Sequence, residues 1–510
     1  MNNTFVYRFL RNALWIIACI TAVALFATNF IFTVDVSYNT WEQVTLHNHL
    51  LPSLLMLLVT ALLIFGASLT KGITEKVSEK MLFGIFVALY LAMGIYLIIN
   101  AEKTLAADPR YVRSAAMNLL RGKYDAFESG GYMHCYPHQL GLMLYDSLLA
   151  LISRSTIVNF FANLLFVLGI NYHLYKISDV LFKNRAVNLL TILVSLAFLP
   201  QLLFILFAYG LIPGLFFMVL AFYNGLQLAK EHKLRHLIGL VLSSICAILL
   251  KNNFMIGIIA IIIYLLLKFC NKEFHWKSAV AVVMLVLSLF LPQKILVATY
   301  ENITGGDLHN GTPAILWVAM GTDLDNRMRT CGWYDGSNLK LYKKADNDKE
   351  IAQYFGEEKM KENIAKMQEN PAEAIAFFTE KNIAQWCEPM FQSAFVAVPD
   401  HTDALETSYP ELMRSIYTAG VADDVITYIA KYIVLLVYGF AAVFFIFFRN
   451  KCSGWEPFIT ATIGGFIFHT FWEGKSQYIF PYFIILIPIA MYALWQTILK
   501  LKEWKAKRHR

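Results

Sequence analysis

The chain has 510 residues, of which 58% are hydrophobic and only 15% are charged, and its formal net charge at pH 7 is +7. Soluble domains carry about 25% charged residues, so this composition excludes a soluble globular protein and predicts an α-helical polytopic membrane protein. The positive charge does not indicate a nucleic-acid partner. The basic residues lie in short loops between apolar runs and at the C-terminus, where they mark the cytoplasmic face.

Apolar length and the Lys/Arg bias of the loops predict about twelve transmembrane helices with both chain ends in the cytoplasm. Residues 1–100 hold the first three, residues 155–297 hold helices 4–9, and residues 425–510 hold helices 10–12 and a basic cytoplasmic tail. The predicted spans are 9–33, 51–69, 82–100, 155–174, 187–206, 211–229, 236–250, 254–270, 278–296, 426–448, 456–471 and 479–499.

The apolar run 139–153 differs from the others. It is only about fifteen residues long, shorter than the roughly 20 that cross a bilayer, and it contains Asp146. We expect a re-entrant or interfacial helix here, because counting the run as a span would invert every later loop.

Residues 298–424 interrupt the membrane pattern. Charged residues, glycines and turn pairs replace the apolar runs, and about 125 residues are enough for a small folded domain. We expect an extracytoplasmic soluble domain of mixed structure, with a helical part at 347–384.

Residues 101–154 are predicted to form a second extracytoplasmic segment, a loop with interfacial helices. From Arg110 to Leu120 the apolar side chains fall on one helical face, with Arg113 elsewhere, a pattern typical of a helix on a membrane surface. His134, Cys135 and His138 have a spacing that would suit a metal, but no fourth ligand is apparent, so we predict no metal site.

Lys251 and the pair Glu473 and Lys475 each lie where two hydrophobic helices meet at one short break. An ionisable group at membrane depth costs several kcal/mol unless it faces a cavity or a partner. A carboxylate and several cations with lateral access from lipid suit a lipid-phosphate substrate. The cations would hold the phosphate, and the carboxylate would take a proton from an attacking hydroxyl.

Asp108 in an outer loop is followed by the amphipathic helix, by Tyr136-Pro137, by further spans with basic inner turns and by a late Glu-x-Lys-x-x-Tyr-x-x-Pro motif at 473–481. This order resembles the GT-C superfamily, which uses polyprenyl-phosphate sugars, as in the protein O-mannosyltransferases and the lipid A aminoarabinose transferases. The resemblance implies transfer of a sugar, with inversion, to a hydroxyl of an envelope glycan, glycolipid or protein at the outer face of the cell membrane. No cofactor is implied, and a divalent metal stays open. The matching residues are Asp108, Ala115, Leu119, Gly122, Tyr136, Pro137, Glu473, Lys475, Tyr478 and Pro481.

By this resemblance Asp108 would be the catalytic base. Two alternatives stay open: Asp35 follows the first span, where the family usually places its catalytic loop, and Asp108 could simply cap a helix that begins at Arg110. We expect the donor phosphate to contact Arg110, Arg113, Lys251 and Lys475. The expected substrate-binding residues are Tyr111, Tyr136, His138, Glu473 and Tyr478.

Two other classes of protein are alternatives to a glycosyltransferase. A transporter or flippase of a lipid-linked saccharide would have charged residues deep in several spans and pseudo-symmetric halves, and neither is evident in spans four to nine. A non-catalytic scaffold would not need Lys251 or Glu473 beside the bilayer. The identity of the sugar and acceptor, the oligomeric state and a disulfide between Cys331 and Cys387 stay open.

Overall fold

The computed structural model describes residues 5–37, 42–70, 76–273, 275–398 and 409–508. Nearly every element in these ranges is a helix. The exception is one antiparallel hairpin, formed by β1 (Phe32–Val36) and β2 (Val44–Asn48), with Asp35 opposite Thr45. The chain is therefore an α-helical membrane protein, as its composition predicted.

The described residues contain nine helices that are long and apolar enough to cross a membrane. A tenth candidate is the bent pair Arg185–Ala197 and Pro200–Leu206, whose two parts meet at 52°. The polytopic class is thus confirmed. The nine helices are Phe5–Ile31, Leu50–Leu69, Glu79–Asn100, Ile157–Phe182, Leu211–Glu231, Asn252–Cys270, Trp276–Thr304, Val421–Lys451 and Phe480–Arg508.

Three predicted spans account for the difference from twelve. The run 187–206 bends where Pro200 starts a new helix, because proline cannot continue the preceding one. Leu234–Leu250 has 17 residues and Glu456–Phe471 has 16, so each is about 25 Å long at 1.5 Å per residue. That is slightly less than the roughly 30 Å of a bilayer core. The count of twelve therefore stays a prediction.

The segment 298–424 is helical in its described part, where we expected mixed structure. The predicted helical stretch 347–384 consists of Lys349–Glu369 and Pro371–Trp386, and the side chains of Asp348 and Asn370 cap their N-termini. Its extended contact is an isolated bridge between Trp333 and Gly474. The other helices of this part are Ile315–Gly321, Ser337–Lys344 and Glu411–Tyr417.

Two helices of 13 residues lie in the segment 101–154, with the four-residue helix Tyr132–Cys135 between them. Ala107–Leu119 buries Val112, Ala115 and Ala116 on one face, as the apolar periodicity predicted. Leu140–Ile152 has 13 residues, which is too short to cross a bilayer.

The basic loops and the polar segments lie at opposite ends of the bundle. At one end, Arg185 donates to the carbonyl of Val77 at 2.6 Å, and Lys277 donates to that of His232 at 2.8 Å. At the other end, Gln293 donates to the carbonyl of Pro137 at 2.7 Å. The predicted inner loops therefore contact each other, and so do the predicted outer segments.

Two glycines allow the helix ends to approach closely at the polar end. A Cβ on Gly141 would lie 2.2 Å from the carbonyl oxygen of Leu249. A Cβ on Gly210, which has a φ of 75°, would lie 2.2 Å from that of Leu250. Only glycine permits these approaches, and both are made to the turn of chain that precedes Lys251.

Candidate functional site

A cavity of about 1000 Å³ lies at the polar end of the bundle. Segments that are far apart in the sequence meet around it, from the hairpin near the N-terminus to the connection before the last helix. Its polar and aromatic lining includes Glu42, Asp108, Tyr132, Tyr136, His138, Gln139, Tyr209, Lys251, Asn252, Asn253, Gln293, Lys294, Trp317, Arg329, Tyr334, Trp472, Glu473, Lys475, Gln477 and Tyr478.

Asp108 lies in the first turn of Ala107–Leu119 and lines the cavity. The N-cap of this helix is Ala106, which has no side-chain capping bond. The alternative that Asp108 is the N-cap residue is therefore wrong. Its carboxylate interacts electrostatically with the Tyr132 hydroxyl and with Lys251.

Lys251 lies between two helices, with its ammonium over two aromatic rings. The Nζ atom is 5.0 Å from the ring centre of Tyr209 and 5.1 Å from that of Tyr478, distances at which cation–π attraction operates. Burial lowers the pKa of Lys251 to about 8, although Asp108 and Glu473 act in the opposite direction. Lys251 thus remains mostly protonated at neutral pH inside the cavity.

Glu473 is buried at the start of the connection between Glu456–Phe471 and Phe480–Arg508. Its Oε1 accepts a hydrogen bond of 3.3 Å from the Tyr478 hydroxyl. Burial raises the pKa of Glu473 to about 7, while Lys475 opposes the shift. This carboxyl group can therefore gain or lose a proton near neutral pH.

The backbone around Glu473 is held by the helical segment beside it. Lys381, which is fully buried, donates to the carbonyls of Gly321 at 2.5 Å and Trp472 at 2.6 Å. The amide of Gly474 donates to the carbonyl of Gly332 at 2.9 Å. The segment after Thr304 thus fixes the position of the late motif.

Lys475 contacts the carboxylate of Glu42, a residue near the other end of the sequence. Its Nζ atom is 3.3 Å from Glu42, which is also held by Arg329 and Gln392. Burial disfavours the charge on Lys475, but Glu42 and Glu473 outweigh this effect, so its pKa is raised. Lys475 is a cation at every physiological pH.

An aromatic wall forms one side of the cavity. Trp317 and Trp472 stack with ring centres 5.9 Å apart and planes at 6°, and Tyr136 and His138 contact Trp317 at 6.0 and 5.9 Å. Burial and the nearby Lys251 lower the pKa of His138 to about 4, so the imidazole is neutral. Such amphipathic rings bind flat apolar faces while leaving polar edges available.

A second wall of the cavity is apolar. It combines residues that follow Asn100, residues of the break before Leu211, and residues at the end of the described stretch 275–398. They are Leu105, Leu206, Phe207, Ala208, Phe395, Val396, Ala397 and Val398. Hydrocarbon chains can bind favourably along such a surface, because the apolar surfaces of both are removed from water.

Four of the candidate site residues predicted from the sequence do not line the cavity. Arg113 is buried and donates to Asn159 Oδ1 at 2.7 Å and to the carbonyls of Arg154 and Ser155. The sequence pattern predicts that Arg113 lies away from the apolar face, and this prediction is wrong. Arg113 lies beside Val112 on the buried side of the helix. It is therefore unavailable to a phosphate in the cavity.

Arg110 and Tyr111 lie on the exposed side of the same helix. Tyr111 stacks on Tyr132, with ring centres 5.2 Å apart. Asp35, the rival for the catalytic position, pairs with His47 at 3.1 Å and has 58% of its side chain exposed. None of these three residues lines the cavity.

The histidine and cysteine spacing does not form a common environment. His134 is buried next to the Tyr342 hydroxyl, 3.3 Å from its Nδ1, whereas His138 lines the cavity. Within the described ranges, no group of three or more His, Cys, Asp or Glu side chains is placed to hold a metal. Cys331 and Cys387 are free thiols in separate apolar clusters, so they do not form a disulfide.

Sequence reasoning missed several residues of the site, among them Arg329, Tyr209 and Trp317. Arg329 lies in a segment rich in charged residues, where nothing distinguishes it from its neighbours. Glu42 lies in the loop after the first helix, and only that position gives a signal in the sequence.

No protein-family model matches the chain, and no curated protein is similar to it. The class that the fold defines is an α-helical polytopic membrane protein with a charged and aromatic cavity at one end of its bundle.

Proposed function

We propose that the protein is a membrane glycosyltransferase of the GT-C type. It would move one sugar from a polyprenyl-phosphate donor to a hydroxyl of an envelope glycan, glycolipid or protein. The observation that carries this proposal is that Asp108, Lys251, Glu473 and Lys475 all line one cavity that also has an aromatic and an apolar wall. A carboxylate, cations, rings and a hydrocarbon surface together match a lipid-phosphate sugar.

In the proposed reaction Asp108 takes the proton of the acceptor hydroxyl as its oxygen attacks the anomeric carbon. The new carbon–oxygen bond forms on the face opposite the phosphate, so the configuration inverts. The bond between the anomeric carbon and the phosphate oxygen breaks, and its electron pair stays on the phosphate. Lys251 and Lys475 stabilise the negative charge that grows there.

Among the described residues, three carboxyl groups line the cavity, and Asp108 suits the base best. Glu42 is held by Arg329 and Lys475, so the negative charge of its carboxylate is already neutralised. Glu473 is buried and partly protonated at neutral pH. Asp108 is exposed to the cavity and therefore can reach an acceptor hydroxyl.

The remaining walls support roles for the other parts of the substrates. The apolar wall at Leu206 and Phe395 would bind the first isoprene units. The aromatic wall at Tyr136, His138, Trp317 and Trp472 would stack on a sugar ring. Tyr478 and Glu473 would contact substrate beside the phosphate, and residues 298–424 would bind the acceptor.

Orientation follows from the charge of the loops. Because Lys/Arg-rich loops favour the cytoplasm, the end of the bundle with Arg185, His232 and Lys277 would be inside. The cavity and the segment 298–424 would then face the outside of the cell membrane. Twelve spans with both chain ends inside are consistent with this arrangement.

A turnover assay tests the proposal. The purified protein in nanodiscs would be incubated with radiolabelled polyprenyl-phosphate monosaccharides and envelope extract, and sugar loss from the carrier would be followed. Loss of a positioned general base costs about 10²- to 10⁴-fold in rate, so Asp108→Asn should lose that much. Asp35→Asn is the matched control and should retain the wild-type rate, since Asp35 lies outside the cavity.

Two outcomes would contradict the proposal. A folded Asp108→Asn protein with full activity would remove Asp108 from the reaction. If lipid phosphates bind but no carrier loses its sugar, transport of a lipid-linked saccharide would become the better interpretation of the cavity.

A further inference from the structure

Glu42 holds two cations from distant parts of the chain. Arg329 donates from Nη1 to one carboxylate oxygen, and the Nζ atom of Lys475 lies 3.3 Å away. Gln392 donates to the other oxygen. Glu42 has only 3% of its side chain exposed, so water contributes little to holding the carboxylate in place.

The cluster brings two cations and one carboxylate to the cavity, and Lys475 also interacts electrostatically with Glu473 and Asp108. Arg329 and Lys475 contribute two positive charges and Glu42 one negative charge, and all three residues line the cavity. The Nε atom of Arg329 is buried and has no hydrogen-bond partner among the described residues. A buried donor left without a partner costs about 1–3 kcal/mol, so the hydrogen bonds within the cluster do not satisfy the whole guanidinium.

A purely structural ion pair would look different. Buried salt bridges are stable when their charges balance and their remaining donors are satisfied. Here two cations share one carboxylate, and one guanidinium donor has no partner among the described residues. Arginine also differs from lysine in presenting several donors in one plane, which matches the oxygens of a phosphate.

We propose that Arg329 and Lys475 form a phosphate-binding pair and that Glu42 is the residue that positions them. The ligand is the phosphate of a lipid carrier, an assignment that rests on the proposed function. Lys251 binds the same phosphate from another part of the cavity lining. Arg329 contacts the substrate, whereas Glu42 acts through the two cations that it holds.

Binding of undecaprenyl phosphate to the full-length protein in nanodiscs tests the role of Arg329. A charge-assisted hydrogen bond contributes about 1.5–3 kcal/mol, so Arg329→Gln should weaken binding by about tenfold or more. Arg329→Lys should recover part of the loss. Arg327→Gln is the matched control, because Arg327 is half-exposed and pairs with Glu373 and Glu380 instead of lining the cavity. Its affinity should equal that of the wild type.

Two further probes identify the source of the phosphate. Undecaprenol lacks the phosphate, and its weak binding should not depend on Arg329. Inorganic phosphate should compete only at much higher concentration, since it lacks the hydrocarbon chain. Equal binding of undecaprenyl phosphate by wild type and Arg329→Gln would overturn the proposal, and so would Arg329-dependent binding of inorganic phosphate alone.

Glu42→Gln separates positioning from a simple counter-ion role, because the two roles predict opposite signs. Removing the negative charge makes the cluster more positive, so a mere counter-ion would give tighter binding of undecaprenyl phosphate. If Glu42 positions the two cations, binding weakens by about tenfold, the loss of one charge-assisted hydrogen bond, and Glu42→Asp recovers part of it. Tighter or unchanged binding by Glu42→Gln would refute the positioning role.

These binding measurements do not need turnover. If Arg329 controls binding but no carrier loses its sugar, the phosphate pair stands and the glycosyltransferase proposal fails. If sugar is transferred but Arg329→Gln binds and reacts like wild type, the reverse holds.

Discussion

Glu473 and Lys475 are two residues apart and experience different environments. Burial dominates at Glu473 and raises its pKa, whereas at Lys475 the attraction of Glu42 outweighs burial. Lys475 therefore stays charged, while the charge of Glu473 depends on pH. Because Lys475 stays charged while Glu473 titrates, the net charge of the site changes near neutrality, which affects both stability and anion binding.

The raised pKa of Glu473 predicts a pH-dependent stability difference. The native pKa is about 7 and the ordinary value is 4.5, so between these pH values the native state keeps a proton that the unfolded state has lost. Stability contributed by this group is present below about pH 4.5 and is lost as the pH rises through about 7. Glu473→Gln cannot ionise and avoids this loss.

Thermal midpoints of wild type and Glu473→Gln between pH 5 and 8 check this expectation. The midpoint of the variant should rise relative to wild type as the pH increases. Lys475→Gln is informative as well, because it removes the cation that opposes the shift and should move the transition to higher pH. A difference between wild type and Glu473→Gln that is constant across this range would contradict the raised pKa.

Among the elements, the helix breaks matter more to the site than the helices themselves. The residues Asp108, Lys251, Glu473 and Lys475 all lie at helix starts or in short connections. Backbone amides and carbonyls are unsatisfied at such ends, and polar side chains are tolerated there because they leave the apolar interior of the bundle. Close approach of these ends is what assembles the cavity.

Gly210 tests how much the site depends on one close approach. Alanine there meets both the left-handed φ of 75° and the carbonyl oxygen of Leu250 at 2.2 Å. Gly122, with a φ of 71° and nothing within 4 Å, is the matched control, because alanine there meets only the conformational cost of about 1–3 kcal/mol. Gly210→Ala should add about 1–3 kcal/mol of overpacking.

Thermal denaturation and binding of undecaprenyl phosphate measure the two effects. Gly210→Ala should unfold at a lower temperature than Gly122→Ala and should also bind the lipid more weakly, because the shift reaches Lys251. Equal midpoints and equal affinities for the two variants would show that the approach of Gly210 to Leu250 is not needed.

The sequence allowed prediction of those elements and residues that interrupt a regular pattern. Lys251 and Glu473 stood out because each is an ionisable group between two apolar runs. Arg329 did not, because its neighbours are also charged and its contact with Glu42 spans 287 positions. The prediction for the helical face of Arg113 was wrong. Helical periodicity gives the position of a side chain on its helix, but it does not show which groups of other segments, such as the carbonyl of Arg154, accept hydrogen bonds from it.

At the scale of the whole molecule, the apolar runs predicted the class of fold but not its regularity. The run 187–206 bends by 52°, and neither Leu234–Leu250 nor Glu456–Phe471 is as long as a standard span. Hydropathy sums composition along the chain and is insensitive to bends.

The proposed orientation gives the last prediction. Ser129 and Lys361 are exposed at the end with the cavity, and Lys233 is exposed at the end with the basic loops. If the basic end is cytoplasmic, a membrane-impermeant maleimide should label Ser129→Cys and Lys361→Cys in intact cells and should label Lys233→Cys only after permeabilisation. The unsubstituted protein is the reference, because its seven cysteines are buried or half-buried. Labelling of Lys233→Cys alone in intact cells would show that the orientation is the reverse of the proposed one. The donor would then have to be bound from the cytoplasmic leaflet.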